Sequence, residues 1–178
     1  MTDVPAPELS LTEWLILSLC CEGPTHGFAI ARLLAQQGEL GQVWRVPKPV
    51  IYRGLARLEQ LGLVRTVGEQ ATSMGPARSV LEATSAGRQA VAAWLMTPVR
   101  HIREVRSELM VKLALLDRSG TGARPLLEAQ QEQLAPIAAA LARRLGPASG
   151  FDRTLILWRY ETVSAALRFL DAALLSAT

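Results

Sequence analysis

The chain has 178 residues and a mass of 19.3 kDa, with 49% hydrophobic and 20% charged residues. That length suits one compact domain, or one small domain with an appendage, and the composition excludes a disordered chain. The formal net charge of +3 is too small to mark a nucleic-acid binder by itself. No apolar run approaches the roughly 18 residues of a membrane span, and the N-terminus lacks the basic start of a signal peptide. The expectation is a cytoplasmic protein without membrane association. Cys20 and Cys21 are neighbours, a spacing that suits neither a normal disulfide nor a zinc site, so both read as buried, inert thiols.

Residues 1–9, with Pro5 and Pro7, read as a flexible arm. A first helix is expected over 11–21, with a strand as the rival reading; Ser10 or Thr12 could cap it, and Glu13 stands three residues after Ser10, the spacing of a capping box. A second helix is expected from Gly27 to Gln37, with Gly38 as its stop. A third starts near Pro47 or Pro49 and runs to Leu61. Proline costs nothing in a first helical turn, and Ile51, Leu55 and Leu58 recur along one face. Gly62 ends it. Residues 63–67 alternate like a strand, 68–77 read as a turn, and 78–83 return as a second strand. Thr84 or Ser85 caps a fourth helix over 86–95. The remainder reads as helical. A helix near 100–117 carries the stripe Ile102, Val105, Leu109, Lys112, Leu113 and Leu116. A second covers 123–145, which Pro136 should kink or cut, and a third covers 152–175. Glu104 and Glu108, beside Arg103 and Arg106, read as surface ion pairing.

Three helices, a two-stranded ribbon and a fourth helix spell a winged helix-turn-helix. In that motif the third helix enters the major groove of DNA and the ribbon reaches along the backbone or minor groove. Such a helix needs one apolar face for docking and an opposite face of donors. With Ile51, Leu55 and Leu58 inward, Tyr52, Arg53, Ala56, Arg57 and Gln60 lie on the other face, and Lys48 stands at the helix start. From Arg45 to Arg65 there are five basic residues against one acid, Glu59, whereas residues 1–97 hold eight of each sign. Positive charge is thus concentrated where a DNA reader would use it, and local concentration governs counterion release. Lys48, Tyr52, Arg53, Arg57 and, from the wing, Arg78 are the candidate DNA-binding residues.

The stretches His26-Gly27-Phe28-Ala29-Ile30, Ile51-Tyr52-Arg53-Gly54-Leu55-Ala56-Arg57-Leu58-Glu59-Gln60-Leu61-Gly62-Leu63-Val64, Gly75-Pro76-Ala77-Arg78 and Thr84-Ser85-Ala86-Gly87, with Trp94, resemble the PadR family of bacterial transcriptional regulators. Two positions depart from the family pattern: Pro47-Lys48-Pro49-Val50 replaces a Ser/Thr-Gly entry to the third helix, and Leu81 stands where a tyrosine is usual. The resemblance, over about 10–117, implies a dimeric winged-helix repressor whose helical C-terminal region supplies the dimer contact. It also implies a response to small aromatic or lipophilic compounds.

The fold class expected is therefore mostly α with a small β-ribbon. A winged helix-turn-helix DNA-binding domain occupies 10–97, and a helical dimerisation and effector region occupies 98–178. The expected partners are a double-stranded DNA operator with inverted repeats, a second copy of the chain and a small-molecule effector. Trp94, Trp158 and Phe169 are candidate effector contacts, against the plainer reading of aromatics at helical spacing as core or interface. No cofactor or metal is expected. Nucleophile elbow, phosphate loop and metal-ligand spacing are all missing from the sequence, so it does not read as an enzyme. The alternative function is a winged helix used for protein–protein contacts without specific DNA readout.

Overall fold

Ser10 caps the first helix, one of the two caps the sequence offers. Its hydroxyl accepts the Glu13 N–H at 3.3 Å, and its own N–H donates to Glu13 Oε2 at 2.7 Å. This reciprocal capping box starts α1 (Leu11–Cys21). The computed structural model describes residues 8–72 and 75–176. The expected N-terminal arm therefore lies outside the described residues except for Glu8 and Leu9. Leu15, Ile16, Leu17, Leu19 and Cys20 are all buried, so α1 is apolar nearly all round and forms the axis of the first core.

Helix α2 (Gly27–Leu33) is shorter than its apolar pattern suggests. His26 caps it, with Nδ1 accepting the Ala29 N–H at 3.0 Å. Beyond Leu33 the run Ala35-Gln36-Gln37 is exposed, while Leu34, Leu40 and Val46 are buried. A continued helix would carry those later apolar residues away from the core. The chain turns back instead, with the Leu40 N–H bonded to the Leu33 carbonyl and the Val46 N–H to the Leu34 carbonyl.

Helix α3 (Lys48–Gln60) follows, with Pro47 at the cap and Ile51, Leu55 and Leu58 buried. It stops where Gly62 takes φ +68°, a conformation that costs a side-chain-bearing residue energy. The Gly62 N–H bonds to Glu59 and the Leu63 N–H to Leu58, the pair of bonds that closes a Schellman cap.

The ribbon is longer than expected. Strands β1 (Val64–Thr72) and β2 (Gly75–Ala83) pair antiparallel from Val64↔Ala83 to Thr72↔Gly75. Most of the segment read as a turn is strand, with register shifts between Thr66 and Gly68 and between Gln70 and Thr72. Residues 65–71 of β1 are all exposed, so the ladder of backbone bonds extends without the apolar alternation that marks a half-buried strand. Thr25 forms an isolated bridge with Leu81, through bonds of 2.8 and 2.7 Å, which ties β2 to the turn before α2. Helix α4 (Ser85–Met96) starts at Thr84, whose hydroxyl accepts the Gly87 N–H at 3.2 Å. Trp94 stacks on Trp14 with ring centroids 5.1 Å apart and the planes 2° from parallel.

The chain divides into two compact units between Leu95 and Met96. In the second, the helix expected near 100–117 comes in three parts: α5 (Ile102–Glu104), a π-helical turn over Val105–Leu109, and α6 (Met110–Arg118). The wider turn resets the buried face, so Val111 and Leu115 are buried while Leu113 is only half-buried. Lys112, counted in the apolar stripe, is 1% exposed. Its ammonium donates to the Thr97 carbonyl at 2.7 Å and pairs with Glu108 at 2.7 Å. Glu108 thus serves a buried lysine rather than the surface pairing expected of it. Gln130 is also buried, and its amide bonds the Val99 N–H at 2.7 Å and the Val99 carbonyl at 3.0 Å.

Helix α7 (Arg124–Leu145) runs uninterrupted through Pro136. Both Pro136 and Glu132, whose carbonyl loses its amide partner, are exposed, so water can satisfy the orphan and the helix is not cut. Helix α8 (Gly150–Ser176) packs antiparallel to α7, with Arg124 bonded to the Leu174 carbonyl and Gln131 to Asp171. Among the described residues no helix is long and apolar enough to cross a membrane.

Candidate nucleic-acid interface

The outer face of α3 presents Lys48, Tyr52, Arg53, Ala56 and Arg57, all exposed, directly opposite buried Ile51, Leu55 and Leu58. This separation of faces follows from the helical period alone. The structure adds what holds each donor. Tyr52 is half exposed, and its ring lies against Gly27: a Cβ added at Gly27 would stand 2.6 Å from Tyr52 Cε1. Only glycine at the start of α2 leaves room for that ring.

Lys48 and Arg78 converge from different elements on one aromatic ring. Lys48 Nζ lies 4.9 Å from the Phe28 ring centroid and Arg78 Cζ 4.4 Å from it, both within cation–π range. The start of the third helix and the second wing strand therefore meet over α2. Phe28 also lines an open groove of about 510 Å³ with Arg32, Arg45 and Lys48, floored by Ala31 and Val46. Arg45 is held there by a bond to Gln36 Oε1 at 3.2 Å.

Arg57 is placed differently. Its Nη1 bonds both oxygens of Glu13, at 2.9 and 3.2 Å, and its Nη2 donates to the Glu8 carbonyl at 3.2 Å. Glu13 is buried. Burial pushes its carboxyl up, but the Ser10 hydrogen bonds and the Arg57 charge outweigh that and hold its pKa below the ordinary 4.5. Arg57 therefore ties α3 to α1. Arg65, at the ribbon base, pairs across the strands with Glu82.

Sequence reasoning did not single out Phe28 as a seat for cations, nor Arg32 and Arg45 as site residues. Arg45 was visible in the charge count, but Lys48 and Arg78 are distant from Phe28 in the chain and no spacing rule joins them. The candidate effector contacts separate. Trp94 is buried and stacked on Trp14, so it is core in the first unit. Trp158 and Phe169 are exposed on α8. Cys20 is buried as expected and Cys21 only half-buried; burial pushes Cys20 up to about 12 and raises Cys21 as well, against the low values of reactive thiols.

Three helices, a paired ribbon and a closing helix, with donors on the outer face of the third helix, define a winged helix-turn-helix protein. Residues 16–93 match the family model described as the Transcriptional regulator PadR-like family. That match lies within the first unit and covers most of the winged helix, which is thus similar to the domain of that family. Similar solved structures include Bacillus subtilis PadR in complex with operator DNA, 21% identical, covering 91% of this chain and 97% of that one, with a TM-score of 0.47. Bacillus subtilis PadR in complex with p-coumaric acid is 20% identical, with coverages of 94% and 99% and a TM-score of 0.43. The PadR-like transcriptional regulator BC1756 from Bacillus cereus is 14% identical, with coverages of 93% and 97% and a TM-score of 0.40. No curated protein matches the chain.

Proposed function

We propose that the chain is a repressor that binds an inverted-repeat operator in double-stranded DNA as a homodimer. The observation that supports this most is the convergence of Lys48 at the head of α3 and Arg78 of the wing on Phe28, beside Tyr52 and Arg53 on the outer face of α3. Lys48, Tyr52, Arg53 and Arg78 contact base edges and phosphates in this reading, and Arg57 holds α3 in place. A dimer presents two such helices to half-sites about one DNA turn, roughly 34–36 Å, apart. A small aromatic or lipophilic effector weakens binding by favouring a dimer whose helices no longer match that spacing. Trp158 and Phe169 on α8 remain available to such a ligand or to the dimer contact.

The test is selection of duplexes from a random DNA pool by the purified protein, followed by titration of the enriched duplex at several salt concentrations. The expected result is an inverted repeat whose log affinity falls with log salt by about 0.9 for each phosphate contact. Arg53→Ala should weaken that complex by about ten- to a hundredfold and leave the fold unchanged. Failure to enrich any sequence, with equally weak binding to all duplexes, would replace this reading with a winged helix that contacts protein.

A further inference from the structure

We propose that Phe28 is a positioning residue for DNA binding, its ring holding Lys48 and Arg78 at a set distance so that the recognition helix and the wing engage the duplex as one surface. This rests on the DNA-binding function proposed above. Three independent contacts place the junction in the same short segment. Thr25 is bridged to Leu81 of the wing, Gly27 leaves room for the Tyr52 ring, and Phe28 carries both cations, Lys48 at 4.9 Å and Arg78 at 4.4 Å from its centroid.

The physical case concerns order rather than attraction. Lys48 is exposed and Arg78 only partly covered, and long cationic side chains lose considerable rotamer freedom when a phosphate fixes them. A ring face that already holds the cations removes part of that loss from the binding step. It does so without occupying their donors. A guanidinium over a ring keeps the N–H groups of its own plane free, and an ammonium keeps those turned away from the ring. Phe28 itself contacts no DNA in this scheme, so it carries no sequence preference.

The experiment uses the full-length protein with progressively fluorinated phenylalanines installed at position 28. These keep the shape of the ring while draining the negative charge from its face. Affinity for the selected duplex should fall stepwise with fluorine number, reaching about five- to tenfold for the trifluorinated ring, while the melting temperature stays constant. Phe28→Tyr, which keeps the ring face, should bind as the parent does. In a Lys48→Ala/Arg78→Ala background the fluorination series should be flat, an outcome that a purely structural role for the ring would not produce. A flat series in the parent background, or an equal fall in the double-alanine background, would overturn the proposal. If the parent protein binds no duplex specifically, the DNA-binding function fails and this proposal falls with it. Specific binding by the parent with a flat series removes Phe28 alone.

Discussion

Arg57 shows how one residue type carries two readings that only its neighbour can separate. It stands four residues after Arg53 on the exposed face of α3, as a DNA contact would. The buried carboxylate of Glu13 pairs with it, at 2.9 Å. Removing one partner of a fully buried pair costs about 3–5 kcal/mol. The Arg57 side chain is 52% exposed, so solvent screening reduces the figure for Arg57→Ala to about 1–2 kcal/mol, measured by urea unfolding. DNA affinity of the folded variant should change less than that of Arg53→Ala; a larger loss in Arg57→Ala would restore it to the contact surface. The same pair sets an acid limit. The carboxyl of Glu13 is held below its ordinary 4.5 in the fold, so its stabilisation is complete above that value. It disappears as pH falls through the lowered value. Stability measured between pH 6 and 3 should decline more gently in Arg57→Ala than in the parent, because the variant loses the charge that lowers the Glu13 pKa.

At the scale of the element, periodicity located every major helix and missed what interrupts them. The π-helical turn over Val105–Leu109 leaves no mark in a hydrophobic pattern, since the stripe before it and the stripe after it are each regular. Its consequence is a buried lysine. Burial lowers the pKa of Lys112, and the hydrogen bond and charges of Glu108 and Glu104 only partly restore it. The ammonium bonds Thr97 and Glu108 together, so truncation removes both contacts at once. Lys112→Ala should destabilise the protein by about 2–3 kcal/mol in chemical denaturation. A change under 0.5 kcal/mol would mean that water replaces the ammonium at both partners. The ribbon gives the opposite lesson. Its pairing over Glu69↔Ser79 and Gln70↔Arg78 rests on backbone bonds between residues of which only Arg78 is partly covered, and composition there reads as turn because no apolar face is needed.

At the scale of the whole molecule, α8 exposes Phe151, Leu157, Trp158, Phe169 and Leu175. Aromatic residues of this kind are enriched at the centres of protein interfaces, which is consistent with the proposed homodimer. Trp158→Asp should shift a dimer to monomer at micromolar concentration in sedimentation equilibrium, with helical content retained. A variant that remains dimeric would place the contact elsewhere.

The sequence by itself determined the order of helices and ribbon, the inward face of α3, the Ser10–Glu13 cap and the concentration of positive charge between Arg45 and Arg65. All of these are local: they follow from backbone periodicity, from side chains within one helical turn of each other, and from counting. The tertiary structure alone decided that Arg57 serves Glu13, that Lys112 is buried, that Trp94 is core and that Phe28 gathers Lys48 and Arg78. Each of those depends on residues distant in the chain meeting at a few ångströms. Which partner a charged or aromatic side chain finds there is set by how the elements pack, and a linear pattern carries no record of that.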